Sequence, residues 1–264
     1  MIWLASLRIS DEEVPVEIDS TTPSVARIYD FFLDGKNHYE ADRVAAEQII
    51  RAYPNVRQLA RENRAFLGRA VRHMRACGVE QFLDLGTGLP ATGNVHEVAG
   101  PDARVVYVDN DPIVAAHGRA LLENTQAVLL QRDVRDAESV LADAASHLDF
   151  SRPVGVLFVA ILHFIPEGAH ELVARFREAL VPGSFLAITH GFWDEETEAD
   201  PLDVYKRTNA PVTVRTRGEI LTFFGGFELV EPGLVDVSHW RPDEPEPSEP
   251  SERLWLAAGV ARRP

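Results

Sequence analysis

The sequence predicts an α/β fold, a mostly parallel β-sheet covered by helices on both faces and preceded by a helical extension. Three observations lead there. From Gln81 onward, short apolar runs of strand length alternate with longer segments whose apolar residues recur at helical spacing, the pattern of a parallel sheet with crossover helices. A glycine-spaced turn, in FLDLGTGLPATGNVHEVAG at 82–100, follows the first of those runs. Before Gln81 the periodicity is helical throughout. The 264 residues suit one large domain with an extension. The division falls between an N-terminal arm and helical lid at 1–75 and a ligand-binding domain at 76–264.

Residues 1 to about 22 mix acidic side chains with Thr and Ser and read as a poorly anchored arm. PSVARIYDFFL, from Pro23, sets Val25, Ile28, Tyr29, Phe32 and Leu33 at helical spacing. Asp34-Gly35 ends that helix. A second helix covers Tyr39 to Ala52 and stops before Pro54. A third runs from Val56 to Cys77, with Gly78 after it. QFLDLG is then strand one, and GNVHEVAG a short helix. ARVVYVD (103–109) is strand two, followed by a helix from Pro112 to Leu122. AVLLQRD (127–133) is strand three, with a helix from Ala137 to Leu148. PVGVLFVAI (153–161) is strand four, with a helix from Glu167 to Leu180 that ends at Pro182-Gly183. SFLAITH (184–190) is strand five, and the last helix covers Gly218 to Phe224. FELVEPGLV (227–235) and RLWLAAGVA (253–261) have no helix between them, which suits an antiparallel addition. SHWRPDEPEPSEPSE separates the two and reads as an exposed, mobile acidic linker.

Composition narrows the function. Hydrophobic residues make up 45% and charged residues 25%, ordinary for a soluble globular protein. A net charge of -15 argues against a nucleic-acid partner, which needs basic surface to neutralise phosphates. Arg61, Arg64, Arg69, Arg72 and Arg75 read as one face of a helix. The longest apolar run, VGVLFVAIL, falls short of the roughly 18 residues of a membrane span. MIWLASLRISDEE has no basic residues ahead of its apolar stretch, so it does not read as a signal peptide. Cys77 is the only cysteine, which excludes an intrachain disulfide and a four-cysteine zinc site. The histidines lack His-x-x-x-His spacing, so no metal site is expected. These features point to a cytoplasmic protein that acts on a small molecule, with no nucleic-acid or membrane partner.

The glycine turn decides the ligand class. In a doubly wound sheet, ligands bind beyond the carboxyl ends of the strands, where the strand order reverses. Gly86 and Gly88 let the backbone turn and approach a ligand. The helix that follows points its N-terminal amides at the site. Gly86-x-Gly88-x-x-Ala91 formally matches the dinucleotide fingerprint with alanine last. Pro90 interrupts it, however, and Asp84 sits two residues before the first glycine. A carboxylate aimed at a pyrophosphate is unfavourable. S-adenosylmethionine carries no phosphate, and its ammonium and sulfonium suit a carboxylate. Asp109 ends strand two, where an acid can bind both ribose hydroxyls, and Asn110 follows it. Asp133 and Val134 follow strand three, where a carboxylate and a backbone amide can read adenine. The commonplace alternative for each acid is a helix or turn cap.

These residues carry a resemblance. FLDLGTGLPATGNVHEVA, VVYVDNDP, LVPGSFLAITH, PSVARIYDFFLDGKNHYEADR, ARENRAFLGRAV and FFGGFELVEPGLV together resemble the class I S-adenosylmethionine-dependent methyltransferases. More narrowly, the chain is similar to a bacterial, chiefly actinomycete, S-adenosyl methyltransferase family long catalogued as a domain of unknown function. The likeness runs from about Pro23 to Ala261. It implies a Rossmann-like, seven-stranded, mostly parallel sheet with an antiparallel last strand, S-adenosyl-L-methionine as cofactor and methyl transfer as the activity. The fuller class I methyltransferase motif has a third glycine where this chain has Pro90, a place at which the narrower family accepts Leu-Pro. On this reading Asp84, Gly86, Thr87 and Gly88 hold the methionine portion, Asp109 and Asn110 the ribose, and Asp133 and Val134 the adenine.

The remaining candidates lie outside the strand ends. IYDFFLDGKNHYEAD mixes aromatic and polar residues as a lid over the cofactor edge would, with Tyr29 and Asn37 facing the ligand. The alternative puts Tyr29 in the core of an amphipathic helix. Arg64 suits the methionine carboxylate, since arginine binds carboxylates bidentately; the alternative is a surface arginine. His163 follows strand four, and His190 ends strand five beside Phe192 and Trp193. Either can serve as a general base toward an acceptor; the alternative for each is a hydrogen-bonded edge histidine. Two rivals to methyl transfer stand beside it. One is a cofactor-binding or regulatory module without catalysis. The other is a NAD(P)-dependent oxidoreductase, which Asp84 and Pro90 disfavour.

Overall fold

The computed structural model describes residues 19–123, 125–192, 212–243 and 254–264. The predicted arm up to residue 18, Trp193 and residues 244–253 of the proline-rich segment lie outside them.

Five strands run parallel: β1 (Gln81–Leu85), β2 (Arg104–Asp109), β3 (Ala127–Gln131), β4 (Gly155–Val159) and β5 (Phe185–Gly191). Two short strands, β6 (Glu228–Leu229) and β7 (Val235–Asp236), precede β8 (Leu256–Arg262). β8 lies antiparallel to β5, and both short strands pair with the other side of β8. The order is β3-β2-β1-β4-β5-β8-β6, with β7 also on β8. The single strand expected over 227–235 is therefore broken into β6 and β7 among the described residues. The break has a local cause. Pro232 has no N–H to give a ladder. Gly233 takes φ 90°, and its N–H closes a turn on Val230 O at 2.8 Å. The two fragments together fill the seventh position.

Alternation along the strands builds a core on each face. Leu83, Leu85, Val106, Val108, Val156, Phe158, Leu186 and Ile188 pack on one side. Their neighbours Phe82, Val105, Tyr107, Leu157, Phe185 and Ala187 pack on the other. This is the period-two geometry of a pleated strand. The first face is covered by α6 (Ala137–Ala144), α7 (Ala169–Glu178) and α8 (Arg217–Thr222) through Val140, Val173, Phe176, Ile220 and Phe223. The second is covered by α3 (Val56–Ala76) and α4 (Val95–Ala99) through Phe66, Leu67, Val71, Met74 and Val95. α5 (Pro112–Leu122) packs beside β3. The predicted helices at 137–148 and 167–180 are shorter than their apolar spacing implied. Gly168, with φ 71°, sets the start of α7.

α1 (Val25–Phe32) and α2 (Glu40–Ala52) close a small cluster of their own with the start of α3, around Ile28, Phe32, Ile49 and Val56. Its polar centre is Asp42, wholly buried. The Asp42 carboxylate accepts N–H bonds from Ser24 and Tyr39 and pairs with Arg27 at 2.7 Å. The second half of α3 belongs to the core of the sheet. Ser24 reaches the turn after β2, its hydroxyl donating to Oδ2 of Asp111, the residue that caps α5, at 2.7 Å. Among the described residues no helix is long and apolar enough to cross a membrane.

Candidate functional site

β1 leads to β2 and β3 on one side, and β4 leads to β5 on the other. The strand order therefore reverses between β1 and β4, where a doubly wound sheet opens a crevice at its carboxyl edge. The glycine loop sits there. Gly86 and Gly88 have φ 72° and 68°, values that favour glycine. The N–H groups of Gly86 and Thr87 donate to Val108 O at 2.8 and 3.2 Å. A Cβ on Gly86 would come within 2.6 Å of Ile161 Cδ1, so the loop lies against the chain that leaves β4. At Gly88 a Cβ would meet nothing within 4 Å, which marks the open side of the loop.

Three charged groups surround this loop. Asp84 is buried in β1, and burial pushes its carboxyl up to about 6. Arg64 and a hydrogen bond from the Thr87 side chain pull it back down, and the charge of Asp109 pushes it further up. Asp109 Oδ2 accepts the Gly88 N–H at 2.8 Å, and Oδ1 accepts the Asp111 N–H at 2.9 Å. Burial raises its carboxyl as well, against those amide bonds. Arg64 projects from α3, and its Nη2 donates to the carbonyls of Thr92 and Gly93 at 3.2 and 3.1 Å. Its Nε is buried without a partner.

One expectation about the loop changes. The following helix does not spring from the second glycine. Residues 89–94 intervene, and α4 has only five residues, capped by Asn94 with Glu97. Pro90, which cannot donate an amide, and Gly93, with φ 75°, delay it. The charged groups beside the loop are thus Asp84, Asp109 and Arg64, while the amides of Gly86, Thr87 and Gly88 are engaged within the protein.

Past β2, Asn110 is exposed and Asp111 caps α5 through Ile113 N–H at 2.8 Å. A cavity of about 610 Å³ opens there, lined by Asn110, Leu129, Gln131 and Asp133 among others. Asp133 holds Arg135, accepting from its backbone N–H at 2.9 Å and its Nε at 3.0 Å. Those bonds hold its carboxyl below the ordinary range. Val134 is buried in the first core.

Tyr29, Asn37 and His190 are occupied elsewhere than expected. The Tyr29 hydroxyl donates to Ala60 O at 3.1 Å and accepts from Asn63 Nδ2 at 2.8 Å. The Asn37 side chain is exposed, and its backbone N–H donates to Asp30 Oδ2 at 2.8 Å. That carboxylate lies so close to Gly35 that a Cβ there would fall 2.0 Å from Asp30 Oδ1. Asp30 therefore organises the turn after α1, and Asn37 serves the turn. His190 is sealed from solvent. Its Nδ1–H donates to Gly191 O at 2.6 Å, and its Nε2 accepts from Arg215 Nη1 at 2.7 Å. Burial pushes His190 down to about 4, and neighbouring Arg215 adds to that. With both nitrogens engaged, His190 has no lone pair to offer an acceptor.

His163 differs. It lies in a short 3-10 turn, Leu162–Phe164, directly after β4. Its Nδ1 is buried without a partner. Burial, His190 and Arg215 hold it neutral, well below its ordinary range. The turn around it is braced by Arg215, whose Nη1 donates to Leu162 O at 3.2 Å and whose Nη2 donates to Ile165 O at 2.9 Å. Thr213 N–H adds a bond to His163 O at 2.7 Å. Arg215, Thr189 and Asp42 were not marked by sequence reasoning. The only signal near Arg215 is the capping box Thr216–Glu219 that opens α8, which says nothing about a buried arginine one residue earlier.

A model of the S-adenosyl methyltransferase family matches residues 11–264. The chain is similar to a candidate methyltransferase of Thermobifida fusca YX, with 41% identity over 93% of this chain and 96% of that one and a TM-score of 0.86. It is also similar to a DUF574 family protein of Streptomyces avermitilis MA-4680, with 37% identity over 94% and 100% of the two chains and a TM-score of 0.87. A more distant structure shares the fold. It is the Burkholderia thailandensis 1,6-didemethyltoxoflavin-N1-methyltransferase, solved with its substrate and S-adenosylhomocysteine; identity is 19% over 85% and 89% of the chains, with a TM-score of 0.50. No curated protein matches the chain.

Proposed function

We propose the following activity for this chain, which belongs to the S-adenosyl methyltransferase family: it transfers a methyl group from S-adenosylmethionine to a small-molecule acceptor. One observation carries the assignment of cofactor. A buried acid, Asp84, a partly buried one, Asp109, and an arginine with an unpartnered buried Nε, Arg64, stand beside the glycine loop. The amino-acid end of S-adenosylmethionine is a zwitterion next to a sulfonium. It suits a site that offers carboxylates to cations and a guanidinium to a carboxylate. A pyrophosphate would face the buried Asp84 carboxylate instead, which counts against a nicotinamide dinucleotide.

On this reading Arg64 takes the methionine carboxylate. Asp84, with Gly86, Thr87 and Gly88, takes the ammonium side. Asp109 and Asn110 hold the ribose, and Asp133 and Val134 border the adenine. S-adenosylmethionine, when bound, supplies an already activated methyl group. The protein then has to align the acceptor, exclude water and receive a proton. His163 is the group suited to the last task. It is neutral at physiological pH, so its lone pair is available, and it stands on the turn that abuts Gly86 through Ile161. Isothermal calorimetry with S-adenosylmethionine, S-adenosylhomocysteine, NAD and NADP tests the assignment. Binding of the first pair alone supports it, and binding of neither pair defeats it.

A further inference from the structure

We infer that Tyr29, Asn63 and Thr189 form a positioning chain that sets the turn after β4 against the glycine loop, so that binding at the loop depends on α1 being docked. The dependence of binding rests on the activity proposed above; the positioning of the turn does not.

The chain is a directed series of hydrogen bonds across three elements. Ala160 N–H donates to Thr189 Oγ1 at 2.8 Å, and the Thr189 hydroxyl donates to Asn63 Oδ1 at 2.8 Å. Asn63 Nδ2 donates to the Tyr29 hydroxyl at 2.8 Å, which donates in turn to Ala60 O at 3.1 Å. Each hydroxyl has one proton and uses it, so the direction is determined and the Asn63 amide has one orientation. Asn63 and Thr189 are fully buried. Losing one link therefore leaves a buried polar group without a partner.

The end of the chain is where the position matters. Ala160 has φ 58°, a left-handed conformation that an L-residue keeps only when its surroundings hold it. Its N–H bond to Thr189 is such a hold. Ile161 follows immediately and occupies the space that a Cβ on Gly86 would need. His163 stands two residues further on. The amide of Ala160 thus governs where Ile161 meets the loop, and Tyr29 governs it from α1. A matching bond provides the control. Ser184 Oγ accepts Val154 N–H at 3.1 Å, also between the β4 and β5 segments and also fully buried, but at the amino edge of the sheet.

The test uses the full chain and the variants Tyr29→Phe, Thr189→Val, Thr189→Ser and Ser184→Ala. Amide hydrogen exchange at residues 160–164 is measured without ligand, and S-adenosylhomocysteine affinity is measured by calorimetry. Tyr29→Phe and Thr189→Val should speed exchange at Ala160 and weaken binding by about 5- to 10-fold, the worth of one net hydrogen bond. The two together should do little more than Thr189→Val alone, since they cut one chain. Thr189→Ser should restore both readouts. Ser184→Ala should lower thermal stability while leaving both unchanged. If Thr189→Val does not fold, Tyr29→Phe alone decides. Unchanged exchange at Ala160 in Tyr29→Phe overturns the inference, as does wild-type affinity in either Tyr29→Phe or Thr189→Val. Faster exchange at Ala160 in a protein whose wild type fails to bind S-adenosylhomocysteine supports the positioning chain and overturns the cofactor assignment.

Discussion

Replacing Asp84 with Asn should make the ligand-free protein more stable at neutral pH while weakening its binding of S-adenosylmethionine. The reason is the burial of Asp84. Its carboxyl is raised from 3.8 to about 6, chiefly by desolvation, so the folded state favours the protonated form. Between those two values the native protein binds more protons than the unfolded chain, and stability falls as pH rises. The ionised carboxylate therefore costs about 3 kcal/mol above pH 6, since each tenfold change in acidity is worth about 1.4 kcal/mol. At pH 4.5 the same reckoning leaves about 1 kcal/mol. Asn removes the charge and keeps the shape. At pH 7.5 the Asn variant should melt several degrees higher, since 1 kcal/mol is worth about 2–4 °C in a chain near this size. The gap should shrink by more than half at pH 4.5. Thermal melts of both proteins at the two pH values measure it. An Asn variant no more stable than wild type at pH 7.5, or a gap that does not change with pH, would refute the reasoning: Asp84 would then be solvated or fully paired. Added S-adenosylmethionine should reverse the ranking, because its cationic end offsets the charge only in the wild type.

Three further outcomes follow from the site. Arg64→Met should weaken S-adenosylhomocysteine binding by about 10- to 100-fold, the range for a hydrogen bond to a charged group; calorimetry at two salt concentrations checks it. Gly86→Ala should abolish binding and destabilise the fold by about 1–3 kcal/mol, through strain at φ 72° and the clash with Ile161; denaturant melts and calorimetry on one preparation read both effects. His190, held near 4 against an ordinary 6.5, favours the neutral form in the fold. Its contribution is full above pH 6.5 and is lost as pH falls toward 4, a change of about 3 kcal/mol. His190→Gln should flatten that part of the pH–stability curve between pH 7 and 4, and an unaltered curve would show that His190 does not titrate there.

The candidate site was legible where a backbone conformation or a strand end announces itself locally. Gly86 and Gly88 have positive φ as a sharp turn demands, and Asp84 and Asp109 sit where β1 and β2 stop. Other features left no such mark. The break in the strand at 227–235 depends on where β8 offers partners, although Pro232-Gly233 hints at it. Tyr29 and Asn37 read equally well as lid residues or as structural ones, because an aromatic-polar mixture at helical spacing is common to both. His190 read either as a general base or as a hydrogen-bonded edge histidine, and nothing in ITHGFW shows the arginine that arrives from residue 215 and settles it as the latter.

The alternation of strands and helices and the glycine turn at the carboxyl edge were readable along the chain. Both follow from periodicity and from local backbone sterics. Which polar groups meet is settled by the packing of distant segments. Asn63, Thr189 and Tyr29 lie far apart along the chain, yet bond in series beneath the turn after β4. Arg215 reaches back to His190 and the carbonyls of Leu162 and Ile165. A buried polar group must find a partner wherever the fold supplies one, and the identity of that partner is set by packing between distant segments, which no local pattern records.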